Sequence, residues 1–136
     1  MTEVCCAIIL NESRILTVQR GSKSSHPFKW EFPGGKINSG ETAEECIVRE
    51  ISEELTIRIE VQNQLVSVEF DYGSKQIHLI PFVCKIISGE INLTEHVAQC
   101  WLNFDELNTI DWSGADRELS LKNQESLKIL LSDQKY

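Results

Sequence analysis

The residues best suited to do chemistry are Arg49, Glu50, Glu53 and Glu54, near the end of the run Gly35–Ile57, GKINSGETAEECIVREISEELTI. On a helix turning about 100° per residue, Glu50, Glu53 and Glu54 fall within about a third of the circumference, so three carboxylates project toward one small volume. Like charges at these spacings repel. The simplest compensating partner is a hard divalent cation that takes oxygen ligands, Mg²⁺ or Mn²⁺. A solvated acidic face is the ordinary meaning of a Glu-rich helix, but the helical phase argues against it. Ile47, Ile51 and Leu55 mark a core-facing stripe with Ala43 and Val48 beside it, and Glu54 lands only about 20° from Ile47 on the wheel. A carboxylate at the edge of a core is costly unless it is paired, hydrogen-bonded or metal-bound, which makes this stretch a site hypothesis.

Two elements must position that helix. Thr42 with Glu45 three residues later is a capping box that starts it at about Ala43. Upstream, Trp30-Glu31-Phe32-Pro33-Gly34-Gly35-Lys36 sets two glycines where a backbone can approach a ligand closely, followed by a lysine. The expected order is strand, Gly-rich loop, acidic helix.

Gly35, Glu41 and Arg49-Glu50-Ile51-Ser52-Glu53-Glu54, at these spacings, resemble the Nudix box, G-x5-E-x7-R-E-U-x-E-E-x-G-U with U a bulky aliphatic; Ile51 and Ile57 meet its aliphatic positions. One position departs. The last glycine of the pattern is Thr56, and a β-branched residue in a left-handed C-cap is disfavoured by ~1 kcal/mol or more, so a rebuilt helix end is expected. Within the superfamily the chain is most similar to the MutT branch. That similarity rests on the Trp30–Lys36 run, on Arg20 ending the preceding strand, on Glu95 ahead of Trp101, and on Ala115-Asp116-Arg117.

Composition agrees with one small enzyme. The chain has 136 residues, 41% of them hydrophobic, enough for one domain with a real core, and residues 1–136 are expected to form a single Nudix domain. No signal peptide and no run near membrane-spanning length is evident, and Val4–Leu10 reads as a buried strand. Five cysteines without a C-x-x-C pair suit reduced thiols in a cytoplasm, buried as small core residues. A formal net charge of −8 argues against a nucleic-acid polymer as partner. It leaves a small nucleotide open, held by a bound cation and a few local cations: Arg20, Lys36 and Lys75. Monomer and homodimer are both compatible with the chain.

Glu3–Leu10 and Arg14–Arg20 read as strands joined at Asn11-Glu12-Ser13, with Ser22–Pro27 a polar loop bordering a pocket. Ile57–Val61 alternates with period two, Leu65–Tyr72 and Gln76–Ile87 form a hairpin around Gly73-Ser74, Trp101-Leu102 belong to a short strand, and Glu118 to about Leu131 is a terminal helix. With the resemblance, these elements imply an α/β/α sandwich with a central mixed sheet, a catalytic helix at about 43–55 and a C-terminal helix.

The chemistry implied is substitution at phosphorus by water: a nucleoside triphosphate, a (d)NTP, is cleaved to monophosphate and pyrophosphate. Glu50, Glu53 and Glu54 with the Gly35 carbonyl are the expected metal shell, where Mg²⁺ or Mn²⁺ would neutralise phosphate charge and acidify water. Arg49 is expected to organise the glutamates, and resemblance to the MutT branch makes Glu95 either the general base or a further ligand. Arg20, Gly34, Lys36, Lys75 and Asp116 are the expected substrate-binding residues. The segment Trp112–Asp116 resembles the place where that branch holds the base. Members that prefer 8-oxoguanine carry Asn where this chain has Asp116. An ionised Asp only accepts hydrogen bonds, which suits an exocyclic amine such as that of cytosine, so (d)CTP-type and 8-oxo-dGTP-type substrates both stay open. Phe28, Trp30, Phe70 and Trp112 are candidates to stack on the base, and His96 reads as a loop residue. A Nudix hydrolase of ADP-ribose or another dinucleotide, or a catalytically silent nucleotide sensor, are the alternatives.

Overall fold

The computed structural model describes residues 1–132. Its logic starts in β1 (Thr2–Asn11), where Cys5, Ala7 and Ile9 are buried in one core and Cys6 and Ile8 in another. A strand that is apolar at every position can only be covered on both faces. β1 runs parallel to β7 (Gln76–Ser88), from Thr2↔Ile77 to Ile9↔Cys84. β7 in turn pairs antiparallel with β5 (Arg58–Gln64) and β6 (Val68–Asp71). On its other edge β1 pairs with β4 (Gly34–Lys36) and then turns into β2 (Arg14–Gln19), which carries β3 (Trp30–Glu31) and β8 (Ala98–Leu102). The result is one mixed eight-stranded sheet.

Helix α1 (Ala43–Leu55) covers one face, packing Cys46, Ile47, Ile51 and Leu55 against Cys5, Ala7, Ile9 and Phe82. Helices α2 (Gly114–Lys122) and α3 (Gln124–Leu130) cover the other through Leu119 and Leu127, beside Cys6, Ile8 and Val83. The helix–sheet–helix sandwich is the expected architecture. The expected domain's last residues, 133–136, lie outside the described residues.

The capping box forms as read: Glu45 N–H donates to Thr42 Oγ1 (3.1 Å) and Thr42 N–H to Glu45 Oε1 (2.9 Å). At the other end the structure corrects the expectation of a rebuilt terminus. Thr56 adopts the left-handed conformation itself (φ 59°, ψ 29°), and its N–H still closes onto Ser52 O at 3.1 Å. Its hydroxyl donates to Glu90 O (2.9 Å), which offsets a strain of about 1 kcal/mol.

Three further boundaries differ. The glycine run is strand β4, not a loop, because the edge of β1 offers backbone partners there; a Cβ on Gly34 would overlap the Cys5 carbonyl, so only glycine fits. The strand expected at Leu65 begins at Val68. The terminal helix starts at Gly114 and breaks at Asn123, whose side chain accepts the Val66 N–H (2.9 Å) and donates to Val66 O (2.8 Å), fastening the break to the β5–β6 connection.

Candidate active site

Helix α1 presents its carboxylates along the edge of β4. Glu54 is 4% exposed and its Oε1 is buried without a partner. Burial first, then its hydrogen bond to Glu50 and that residue's charge, push the Glu54 carboxyl up to about 10. Glu50 is also largely covered, whereas the Glu53 side chain is 60% exposed. Arg49 ties the group together. Its Nε and Nη2 grip both oxygens of Glu41 (2.7 and 2.9 Å), and Nη1 reaches Glu50 (2.9 Å) and Glu53 (3.2 Å). Nη2 also donates to the Lys36 carbonyl at 3.2 Å, which fastens the helix to β4. The Glu41 carboxyl is held down to about 2 by the Arg49 hydrogen bonds.

Gly35 packs directly against this group: a Cβ there would overlap the Glu50 carboxylate. Its carbonyl, paired with Cys5 in the β1–β4 ladder, also receives weak thiol contacts from Cys5 Sγ (3.4 Å) and Cys46 Sγ (3.6 Å). Among the described residues no three His, Cys, Asp or Glu side chains stand gathered to hold an ion. The donor set still fits a hard divalent cation. It is made of oxygens, and it includes a buried carboxylate oxygen with no partner. Glu95 is exposed on the loop before β8, near enough for its charge to add to the upward shift of Glu54.

A second set of charges joins this edge to a cleft. Glu31, on β3, accepts Arg20 Nη1 (2.9 Å) on one oxygen and His96 Nε2 (2.9 Å) on the other. The His96 side chain is 6% exposed, and its Nδ1, also unpartnered, lies 3.9 Å from Glu54 Oε1. The loop carrying it is fixed from both sides: Thr94 N–H donates to Glu54 O (3.1 Å) and Val97 N–H to Gln19 O (3.0 Å). A continuous line of side chains therefore runs Glu54, His96, Glu31, Arg20.

The cleft has a volume of about 470 Å³ and is lined by Arg20, Gly34, Gly35, Lys36, Lys75 and Asp116 among others, so one space collects every expected substrate-binding residue. Asp116 sits in the first turn of α2, and its Oδ1 accepts the Phe32 N–H at 3.0 Å. Burial and the nearby Glu31 charge raise its carboxyl well above the usual range, which favours the protonated form. The stacking candidates are also corrected. Trp112 is core, its indole N–H given to Leu107 O (2.6 Å), and neither it nor Phe28, Trp30 or Phe70 lines the cleft. Phe32, His26 and Tyr72 do, the last two stacked at 4.6 Å.

The description NUDIX domain matches residues 1–122 of the chain. The chain belongs to the Nudix family. It is 34% identical over 106 residues to the CTP pyrophosphohydrolase of Escherichia coli (strain K12), covering 78% of each. It is 30% identical over 121 residues to the 8-oxo-dGTP diphosphatase of the same organism, covering 88% of this chain and 94% of that one. The crystal structure of the MutT protein from Methanosarcina mazei Go1 superposes with a TM-score of 0.83 at 25% identity, over 93% of this chain and 95% of that one. This Nudix fold thus carries the MutT arrangement of sheet and helices.

Glu31 and His96 were not singled out from sequence. Glu31 is one acid inside the Trp30–Lys36 run, and only the fold brings it within reach of Arg20 and His96. A period-two reading of β3 could have flagged it, since Glu31 stands between two large aromatics.

Proposed function

We propose that this Nudix hydrolase cleaves nucleoside triphosphates, (d)NTP + H₂O to (d)NMP + pyrophosphate, with Mg²⁺ as the metal and Mn²⁺ as its substitute. The observation that carries the reading is the meeting of two features: a carboxylate edge ending in the unpartnered Glu54 Oε1, and a cleft lined by Arg20, Lys36 and Lys75. Glu50, Glu53, Glu54 and the Gly35 carbonyl would hold the cation, which supplies charge neutralisation at the phosphates and acidifies water. Arg49 keeps the carboxylates aligned. Arg20, braced by Glu31 and by Ser24 and Ser25 hydroxyls at 3.3 Å, and the lysines orient the phosphate chain. Glu53 and Glu95, the exposed acids beside Glu54, are the two groups able to take the proton of the attacking water.

With its Oδ1 taken by the Phe32 N–H, Asp116 offers its second oxygen, a donor to a base carbonyl when protonated and an acceptor for an exocyclic amine when ionised, so the cleft suits an 8-oxopurine and a cytosine alike. The substrate is a small nucleotide and not a polymer. Among the described residues no helix is long and apolar enough to cross a membrane.

The test is a screen of normal and oxidised (d)NTPs, ADP-ribose and dinucleotides with metal present, measuring pyrophosphate and monophosphate separately. Pyrophosphate released in equal amount to monophosphate supports the reading. Turnover of ADP-ribose with none of the triphosphates overturns it.

A further inference from the structure

Helix α2 opens at its N-cap, Ser113, in an extended conformation (φ −58°, ψ 146°). A serine at that position ordinarily turns its hydroxyl onto a backbone N–H two or three residues ahead. Ser113 does not. Its Oγ makes no capping bond and is buried without a partner, in a residue only 4% exposed. The backbone of Ser113 is fully engaged, its N–H donating to Trp30 O (2.8 Å) and its carbonyl accepting from Arg117 N–H (3.0 Å). The hydroxyl alone is left over, in the wall of the cleft that Phe32, Tyr72 and Asp116 also line.

A buried hydroxyl with no partner is unfavourable, and forgoing the cap adds to the cost. Both are recovered if a ligand supplies the missing bond. The surroundings say which part of a ligand fits: Phe32 is apolar, Asp116 brings no positive charge, and Arg20, Lys36 and Lys75 are the groups a phosphate chain would seek. We propose, resting on the triphosphate reading above, that Ser113 is a specificity-determining residue whose hydroxyl hydrogen-bonds the edge of the nucleobase beside Asp116. Asp116 Oδ1 is occupied by the Phe32 N–H, which leaves its second oxygen and Ser113 Oγ to meet two neighbouring polar atoms of a base. An oxopurine or cytosine edge, with a ring nitrogen next to an exocyclic oxygen or amine, has that form.

The experiment compares wild type, Ser113→Ala and Ser113→Thr on the best triphosphate from the screen and on a ribose triphosphate that lacks a base. Binding of the matching nucleoside monophosphate to chelator-treated protein is measured alongside by calorimetry. Ser113→Ala should lower kcat/KM for the full substrate by about 5- to 30-fold, mostly through KM, while leaving the base-free compound unchanged. Thr, which keeps the hydroxyl, should restore part of the loss. Because the hydroxyl bonds nothing in the protein, Ser113→Ala should hold or raise Tm, whereas a structural role would lower it. Equal losses on both substrates, or no loss on either, overturn the proposal. If wild type turns over no triphosphate, the functional reading fails on its own; the monophosphate binding arm then still decides Ser113, and unaltered binding by Ser113→Ala, or no binding by wild type, counts against it.

Discussion

Glu54→Gln should stabilise the metal-free protein while destroying its response to metal. Glu54 is 4% exposed and its carboxyl is pushed up to about 10 by burial and by Glu50, from an ordinary value of 4.5. In the unfolded chain it ionises freely. At about pH 7, keeping it protonated in the fold therefore costs roughly 2.5 pH units times about 1.4 kcal/mol, or about 3.5 kcal/mol. Gln removes that cost. Its amide still needs acceptors, which the Glu50 carboxylate and His96 Nδ1 can supply, so a net gain of about 1–3 kcal/mol is expected.

The sign with pH follows from the same picture. The native state keeps the proton and the unfolded state loses it, so this contribution is fully present below about 4.5 and is lost as pH rises toward about 10. Urea unfolding in a chelating buffer at about pH 6, 7 and 8 should show Glu54→Gln pulling ahead of wild type by about 1.4 kcal/mol per unit. Adding Mg²⁺ or Mn²⁺ should then stabilise wild type with release of a proton and leave the variant unmoved. A gap that stays flat across the pH series, or a variant less stable throughout, would refute the buried neutral carboxyl.

Three other outcomes are expected. Glu53→Gln should fold normally, since the side chain is 60% exposed, but lose roughly 10²-fold or more in kcat at saturating Mg²⁺; near-normal turnover removes it from the metal shell and from proton transfer. His96→Ala should raise KM for the triphosphate and weaken Mn²⁺ binding together, because the ring bridges Glu31–Arg20 to Glu54; an effect on only one of the two, read by kinetics and by paramagnetic titration, breaks that link. Asp116→Asn keeps both a donor and an acceptor, so the kcat/KM ratio between 8-oxo-dGTP and dCTP should shift by less than about threefold at neutral pH; a several-fold shift toward the oxidised purine would mean Asp116 acts ionised.

What the sequence discloses depends on whether the deciding contact is local. Helical phase is local, so the burial of Glu54 beside Ile47 and Ile51 could be read from spacing, as could the Thr42–Glu45 capping box. Arg49 as organiser was also legible, because Glu50 and Glu53 lie within one turn; its strongest grip, on Glu41, reaches back past the helix start and was not. The glycine run misleads for a related reason. Gly34 is a glycine because Cys5, far earlier in the chain, passes against its Cα, and nothing within the run reveals that neighbour.

Charge state is the least legible property. Asp116 reads as an acceptor in a list of residues, and only its burial and the nearby Glu31 charge, which raise its carboxyl against the opposing Phe32 N–H bond, bring the neutral form into the argument about bases. The same placement decides Thr56. A β-branched residue in a left-handed cap reads as a fault, yet the Glu90 carbonyl that takes its hydroxyl lies 34 residues away and turns the departure into a tether. Thr56 ends α1 directly after Glu53 and Glu54, and Thr94, four residues beyond Glu90, bonds the carbonyls of both glutamates at 3.1 and 3.2 Å. The loop that brings Glu95 and His96 to the carboxylates is therefore stitched to the helix end at two places, and where a glycine cap would have served the helix alone, the threonine adds one of those stitches.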